Sequence, residues 1–140
     1  INTLTNIMKT TLKTVVDFYD QYPEFIGQLT VNTQNGFKTI EYADVTAYDS
    51  EIIRVEVGSK VIEGSPDHLL FGEKDWISLS ELKVGQKILT EDGYEKIQSI
   101  TLLDETEDLF DLQVDGKQFY ANGIVSHNST MLDVLTFALY

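Results

Sequence analysis

The chain has 140 residues, enough for one domain with its own core but not for two, and its 42% apolar content argues against wholesale disorder. A formal charge of -13 argues against nucleic acid as the main partner, because phosphate would be repelled, and fits a soluble chain or one that docks a basic partner. The absence of cysteine excludes disulfides, thiolate metal sites and a Cys nucleophile within these residues, and the two histidines stand in no zinc-ligand spacing.

Leu4, Ile7, Met8, Leu12, Val15, Val16 and Tyr19 recur at helical spacing, which predicts a helix over roughly residues 5 to 20, stopped near Tyr22-Pro23. After that the pattern is β. Leu29 to Val31 and Phe37 to Ile40 flank Asn35-Gly36, a hairpin signal because both central turn positions need positive φ. Glu51 to Val57 alternates, Lys60 to Ile62 is strand-like, and His68 to Phe71 follows a Gly-Ser-Pro break. Ser80-Glu81-Leu82 reads as one helical turn. Further strands are predicted over 86–90, 94–103, 107–114 and 117–125, punctuated by Asp92-Gly93 and Asp115-Gly116. Met131 to Tyr140 carries helix formers with an apolar face at 131, 132, 135 and 139, a helix-like stretch too short to be stable alone that reads as the severed start of another domain. The fold expected is a mainly β domain of short strands with one helix at its start. No apolar run is long enough to span a bilayer and the start lacks signal-peptide order, so a cytoplasmic address is expected.

The seam at Val125-Ser126-His127-Asn128-Ser129-Thr130 holds the sharpest chemistry. An asparagine side-chain amide can attack its own backbone carbonyl, closing a succinimide and breaking the chain after itself. The hydroxyl of Ser129 can accept an acyl group as an ester, and His127 stands where it can protonate or polarise that bond. The dipeptide is equally at home in an ordinary loop, and Asn128-Ser129-Thr130 also matches a glycosylation sequon. The other histidine lies in Gly64-Ser65-Pro66-Asp67-His68, where Ser65 could hydrogen-bond to an amide and His68 donate to its nitrogen; a plain Ser-Pro-Asp turn with a structural histidine explains the same residues.

Taken together these blocks resemble the inteins. G-S-P-D-H-L-L-F is similar to the block that carries T-x-x-H, and L-F-D-L-Q-V-D-G-K-Q-F-Y-A-N-G-I-V-S-H-N-S to the two closing blocks, which end in His-Asn and a nucleophilic first extein residue. The stretch W-I-S-L-S-E-L-K-V-G-Q-K-I-L-T also reads like intein sequence. The resemblance spans roughly residues 1–128, is strongest over 64–128, and implies the horseshoe-like, all-β Hint fold and protein self-splicing without a cofactor. It implies that His68 activates the upstream scissile amide, with Ser65 at the usual threonine position. Asp111 would orient or activate the downstream nucleophile, Asn128 would cyclise with His127 as the penultimate histidine, and Ser129 would accept the upstream segment. Lys117 stands where many members carry a histidine; it is either a proton donor, if burial lowers its pKa, or a solvated hairpin residue.

Inteins open with Cys or Ser in a block ending near D-T-x-V, and no such block precedes Leu4 to Tyr19. The expectation is therefore a split-intein C-terminal fragment, 1–128, followed by a short C-extein, 129–140. Its partner would be a short N-terminal fragment of about 15 to 25 residues, more basic than this chain. A truncated contiguous intein is the rival explanation. The tail S-T-M-L-D-V-L-T-F-A-L-Y resembles the end of a Walker A loop and its helix in recombination-nuclease and chromosome-maintenance ATPases, without the glycines and lysine. Another autoprocessing Hint domain, or a non-catalytic acidic β-domain that binds a partner protein, are the alternatives.

Overall fold

Residues 6–114, 117–127, 130–131 and 134–139 are described by the computed structural model, and they form one sheet system of fourteen strands with a single α-helix. In chain order these are β1 (Asn6–Thr11), α1 (Leu12–Gln21), β2 (Leu29–Thr33), β3 (Gly36–Ser50), β4 (Ile53–Val57), β5 (Lys60–Gly64), β6 (Leu69–Phe71), β7 (Trp76–Ser78), β8 (Lys87–Thr90), β9 (Gly93–Leu102), β10 (Glu107–Val114), β11 (Gln118–Ala121), β12 (Ile124–His127), β13 (Thr130–Met131) and β14 (Val134–Leu139). A 3-10 turn at Leu79–Glu81 stands where a helical turn is expected. The lateral order is β1-β14-β2-β3-β10-β13-β5-β4-β9-β8-β12-β6-β7, with β11 beside β12 and β14, and neighbours run antiparallel.

The apolar alternation of the strands builds the core. In β4, Ile53, Val55 and Val57 point inward while Arg54 is exposed, the period of two of a strand with one wet face. Val31, Ile40, Ile62, Leu70, Ile88, Leu112 and Phe119 join them in full burial. The helix adds Val15, Val16 and Tyr19, and the Tyr19 hydroxyl donates to the Ile40 carbonyl at 3.3 Å.

Two expectations fail at the ends of the chain. The helix predicted over 5 to 20 begins only at Leu12, and residues 6–11 are strand β1 instead. The tail predicted as helix is β13 and β14. One cause accounts for both, because β1 and β14 pair with each other from Asn6↔Leu139 to Thr11↔Val134. Over six residues, apolar spacing cannot separate a helix from a strand. A short isolated helix is marginal in water, whereas here each segment finds a complete backbone partner in the other.

The hairpins also differ from expectation in detail. In Thr33-Gln34-Asn35-Gly36 the positive φ falls on Gly36 (91°) and not on Asn35, and Gly36 pairs directly with Thr33 at the end of the ladder. The Thr33 hydroxyl fastens this loop, donating to the Gly36 carbonyl at 2.7 Å and accepting from the Asn35 amide at 3.1 Å. Thr90-Glu91-Asp92-Gly93 repeats the arrangement. The strand predicted over 117–125 is two strands, β11 and β12, folded back at Asn122-Gly123, where both residues have positive φ (48° and 79°) as a type I′ turn requires. The Asn-Gly dipeptide was the signal for it. Asp115-Gly116, also expected to turn, lies outside the described residues.

Candidate active site

Both histidines of the chain belong to one end of one strand ladder. β6 and β12 are antiparallel with Leu70 opposite Ser126. His68 lies just before β6 and His127 is the last residue of β12, so the two approach each other at the same end of the pair.

His68 is held there by its backbone. Its amide donates to the Ser65 carbonyl at 3.1 Å, closing the Ser-Pro-Asp turn, and its carbonyl accepts from the Leu79 amide at 3.0 Å. The Pro66 carbonyl accepts from the Ser80 amide at 3.0 Å, which ties the turn to the 3-10 segment. The turn is therefore real, and it fixes a histidine whose side chain is wholly buried. Burial lowers the pKa of His68 to about 3, and the charge of nearby His127 adds to the effect. The imidazole is neutral near pH 7, with one N–H donor and one bare acceptor. Among the described residues neither Nδ1 nor Nε2 has a hydrogen-bond partner. Each buried unpaired group costs on the order of 1–3 kcal/mol, so a group that pairs with both would be strongly held. Ser65 is buried beside this turn.

His127 is half-buried and its backbone pairs with Gln118 of β11. Its ring meets Trp76 of β7 nearly at right angles, with centroids 5.2 Å apart and an interplanar angle of 79°. Trp76 in turn packs at 75° on Phe71, its cross-strand partner in the β6–β7 hairpin. The tryptophan thus connects the strand that follows His68 to the strand that ends in His127. It went unnoticed as a site residue in the sequence, since Trp76 is separated from both histidines and only the hairpin brings it across.

The backbone of Asp111 in β10 pairs with Asp44 on one side and with Thr130 on the other, one residue past Ser129. Met131 then pairs with Gly64, the residue before Ser65. The chain just beyond the seam therefore runs between the strands that carry Asp111 and lead into Ser65. Lys117 precedes Gln118 at the end of β11, is exposed, and has a left-handed backbone (φ 63°) closed by its amide on the Val114 carbonyl at 3.1 Å. The burial that a proton-donating lysine needs is not there. Asn128 and Ser129 lie outside the described residues. Among the described residues, no group of three His, Asp or Glu side chains is arranged to hold a metal ion, and no helix is long and apolar enough to cross a membrane.

No protein-family model and no curated protein matches the sequence. Solved structures do. A selenomethionine variant of the VidaL intein is similar with a TM-score of 0.70 at 22% identity, over 81% of this chain and 79% of that one. The gp41-1 intein is similar with a TM-score of 0.62 at 22% identity, over 73% of this chain and 95% of that one. A DnaB intein from Synechocystis sp. follows with a TM-score of 0.64 at 20% identity, over 76% and 84%. The fold is the Hint fold of these inteins.

Proposed function

We propose that residues 1–128 are an intein fragment that splices in trans, excising itself and joining an upstream segment to Ser129. The observation that carries this reading is the buried, neutral His68, whose ring nitrogens have no partner among the described residues, at the same ladder end as His127. A neutral imidazole has one N–H to donate, and that donor can be aimed at an amide nitrogen. His68 receives the upstream scissile amide, donates toward its nitrogen and weakens its resonance, so that the first nucleophile can take the acyl group. Ser65 completes this cradle.

The acyl group then passes to Ser129 Oγ, with the Asp111 carboxylate orienting or activating that hydroxyl. The Asn128 side-chain nitrogen attacks the Asn128 carbonyl carbon, the bond to the Ser129 nitrogen breaks, and His127 protonates the departing amine. The freed amine attacks the ester carbonyl through a five-membered ring, leaving a peptide bond at Ser129. Lys117, solvated and at the ladder end, assists none of these steps directly. No cofactor takes part. The first nucleophile comes from outside these 140 residues, on a short upstream fragment whose basic character suits the charge of -13. Residues 129–140 are the start of the downstream host segment, whose Walker A-like sequence becomes helix only in its host.

The test is mass spectrometry of the chain mixed with tagged upstream fragments that begin with Cys or Ser, taken from genes ending in an intein-start block. A tagged product joined to Ser129, abolished by Asn128→Ala and by Ser129→Ala, is expected. Cleavage after Asn128 with no ligation in any mixture would instead make this an autoprocessing domain of the bacterial intein-like kind; such a domain from Clostridium thermocellum shares the fold with a TM-score of 0.55 at 19% identity.

A further inference from the structure

The tail occupies interior positions in the sheet. β14 lies between β1 and β2, antiparallel to both, pairing Asn6↔Leu139 through Thr11↔Val134 on one side and Leu29↔Leu139 through Val31↔Phe137 on the other. It also reaches β11 through Ala121↔Leu135. β2 and β11, with which it pairs, belong to the core layer, since Leu29, Thr30, Val31 and Ala121 are buried. Yet residues 134–139 stand beyond the seam, and under the splicing reading, on which this inference rests, they leave with the ligated product. The domain that remains has two unpaired facing edges, six residues of β1 (Asn6–Thr11) and three of β2 (Leu29–Val31), the latter buried. Such edges are sites for strand addition.

We propose that the slot between β1 and β2 is the docking site of the upstream fragment, and that segment 134–139 holds it until the fragment displaces it. The occupant is an extended strand of about six residues with alternating apolar side chains, entering antiparallel to both neighbours so that its amides and carbonyls are paired on either side. A fragment of about 15 to 25 residues is several times longer than the strand the slot takes. The tail is a stand-in: it covers the edges against aggregation before the partner arrives, and its release is the step that association must overcome.

Hydrogen exchange followed residue by residue on the full chain tests this. The amides of 134–139 and the slot-facing amides of β1 and β2 should exchange together, at least tenfold faster than those of β4 and β9, because they open locally without global unfolding. Exchange of 134–139 only at the rate of β4 and β9 overturns the proposal. Phe137→Pro, which removes a central ladder donor far from the site, should expose β1 and β2 together and speed ligation with the upstream fragment at least tenfold. A synthetic peptide of residues 130–140 added to this variant should restore their protection. Failure of the peptide to bind, pairing of tails between two copies in its place, or unchanged ligation with the active fragment overturns it. If no fragment ligates with either chain, the splicing reading falls, while binding of the tail peptide still establishes the slot as a strand-docking site.

Discussion

Replacing His68 tests the environment on which the site depends, through the pH dependence of stability. In the folded chain burial holds the pKa of His68 down to about 3, against an ordinary value near 6.5. The unfolded chain therefore binds a proton at this residue well before the folded one does. Stability from the neutral histidine is complete above pH 6.5 and is lost progressively as pH falls toward 3. At pH 5 the unfolded state is favoured by roughly 1.5 pH units of proton uptake, or about 2 kcal/mol, and the full loss by pH 3 approaches about 5 kcal/mol. The assay is urea unfolding of the parent chain and of His68→Gln between pH 7 and pH 5, compared as a difference so that other groups cancel. The substitution itself costs stability at pH 7. The gap between the two chains should then narrow by about 2 kcal/mol at pH 5, because the variant has no proton to take up. A gap that stays constant across this range would refute a buried, neutral His68 and, with it, its activation of the upstream amide.

Other outcomes follow from particular contacts. Trp76→Ala removes the ring against which His127 rests, so cleavage after Asn128 should slow by about tenfold, the order of a lost aromatic contact, while Trp76→Phe keeps most of the rate; the ring-proton shifts of His127 should move in the first variant and not in the second. Gly123→Ala puts a methyl group 2.7 Å from Glu91 Oε1 and 2.8 Å from Lys60 Cε at a φ of 79°, and should cost about 1–3 kcal/mol in denaturant unfolding. Asn122→Ala keeps the space but loses the 2.7 Å hydrogen bond to the Val61 carbonyl as well as a residue that tolerates positive φ, for about 1–2 kcal/mol. Lys60→Met breaks ion pairs to Asp92 at 2.7 Å and Glu95 at 3.2 Å, and should cost about 1 kcal/mol, less at high salt.

Strand periodicity, turn dipeptides and the order of motif blocks are local properties, and for that reason the β character, most strands from β2 to β10 and both histidines were legible in the sequence. Val55 and Val57 alternate whatever lies beside them, and Gly36 and Gly93 mark turns by their own backbone freedom. The identity of segments 6–11 and 134–139 was not local. Each carries apolar spacing compatible with helix or strand, and the choice was made by pairing between residues more than a hundred positions apart, where a shared ladder satisfies backbone groups that two short helices would leave half exposed. The sequence likewise named His68 and His127 but could not bring Trp76 against His127, leave the His68 nitrogens without a partner among the described residues, or set Asp111 opposite Thr130. Those are consequences of register and burial, which exist only once the sheet is assembled.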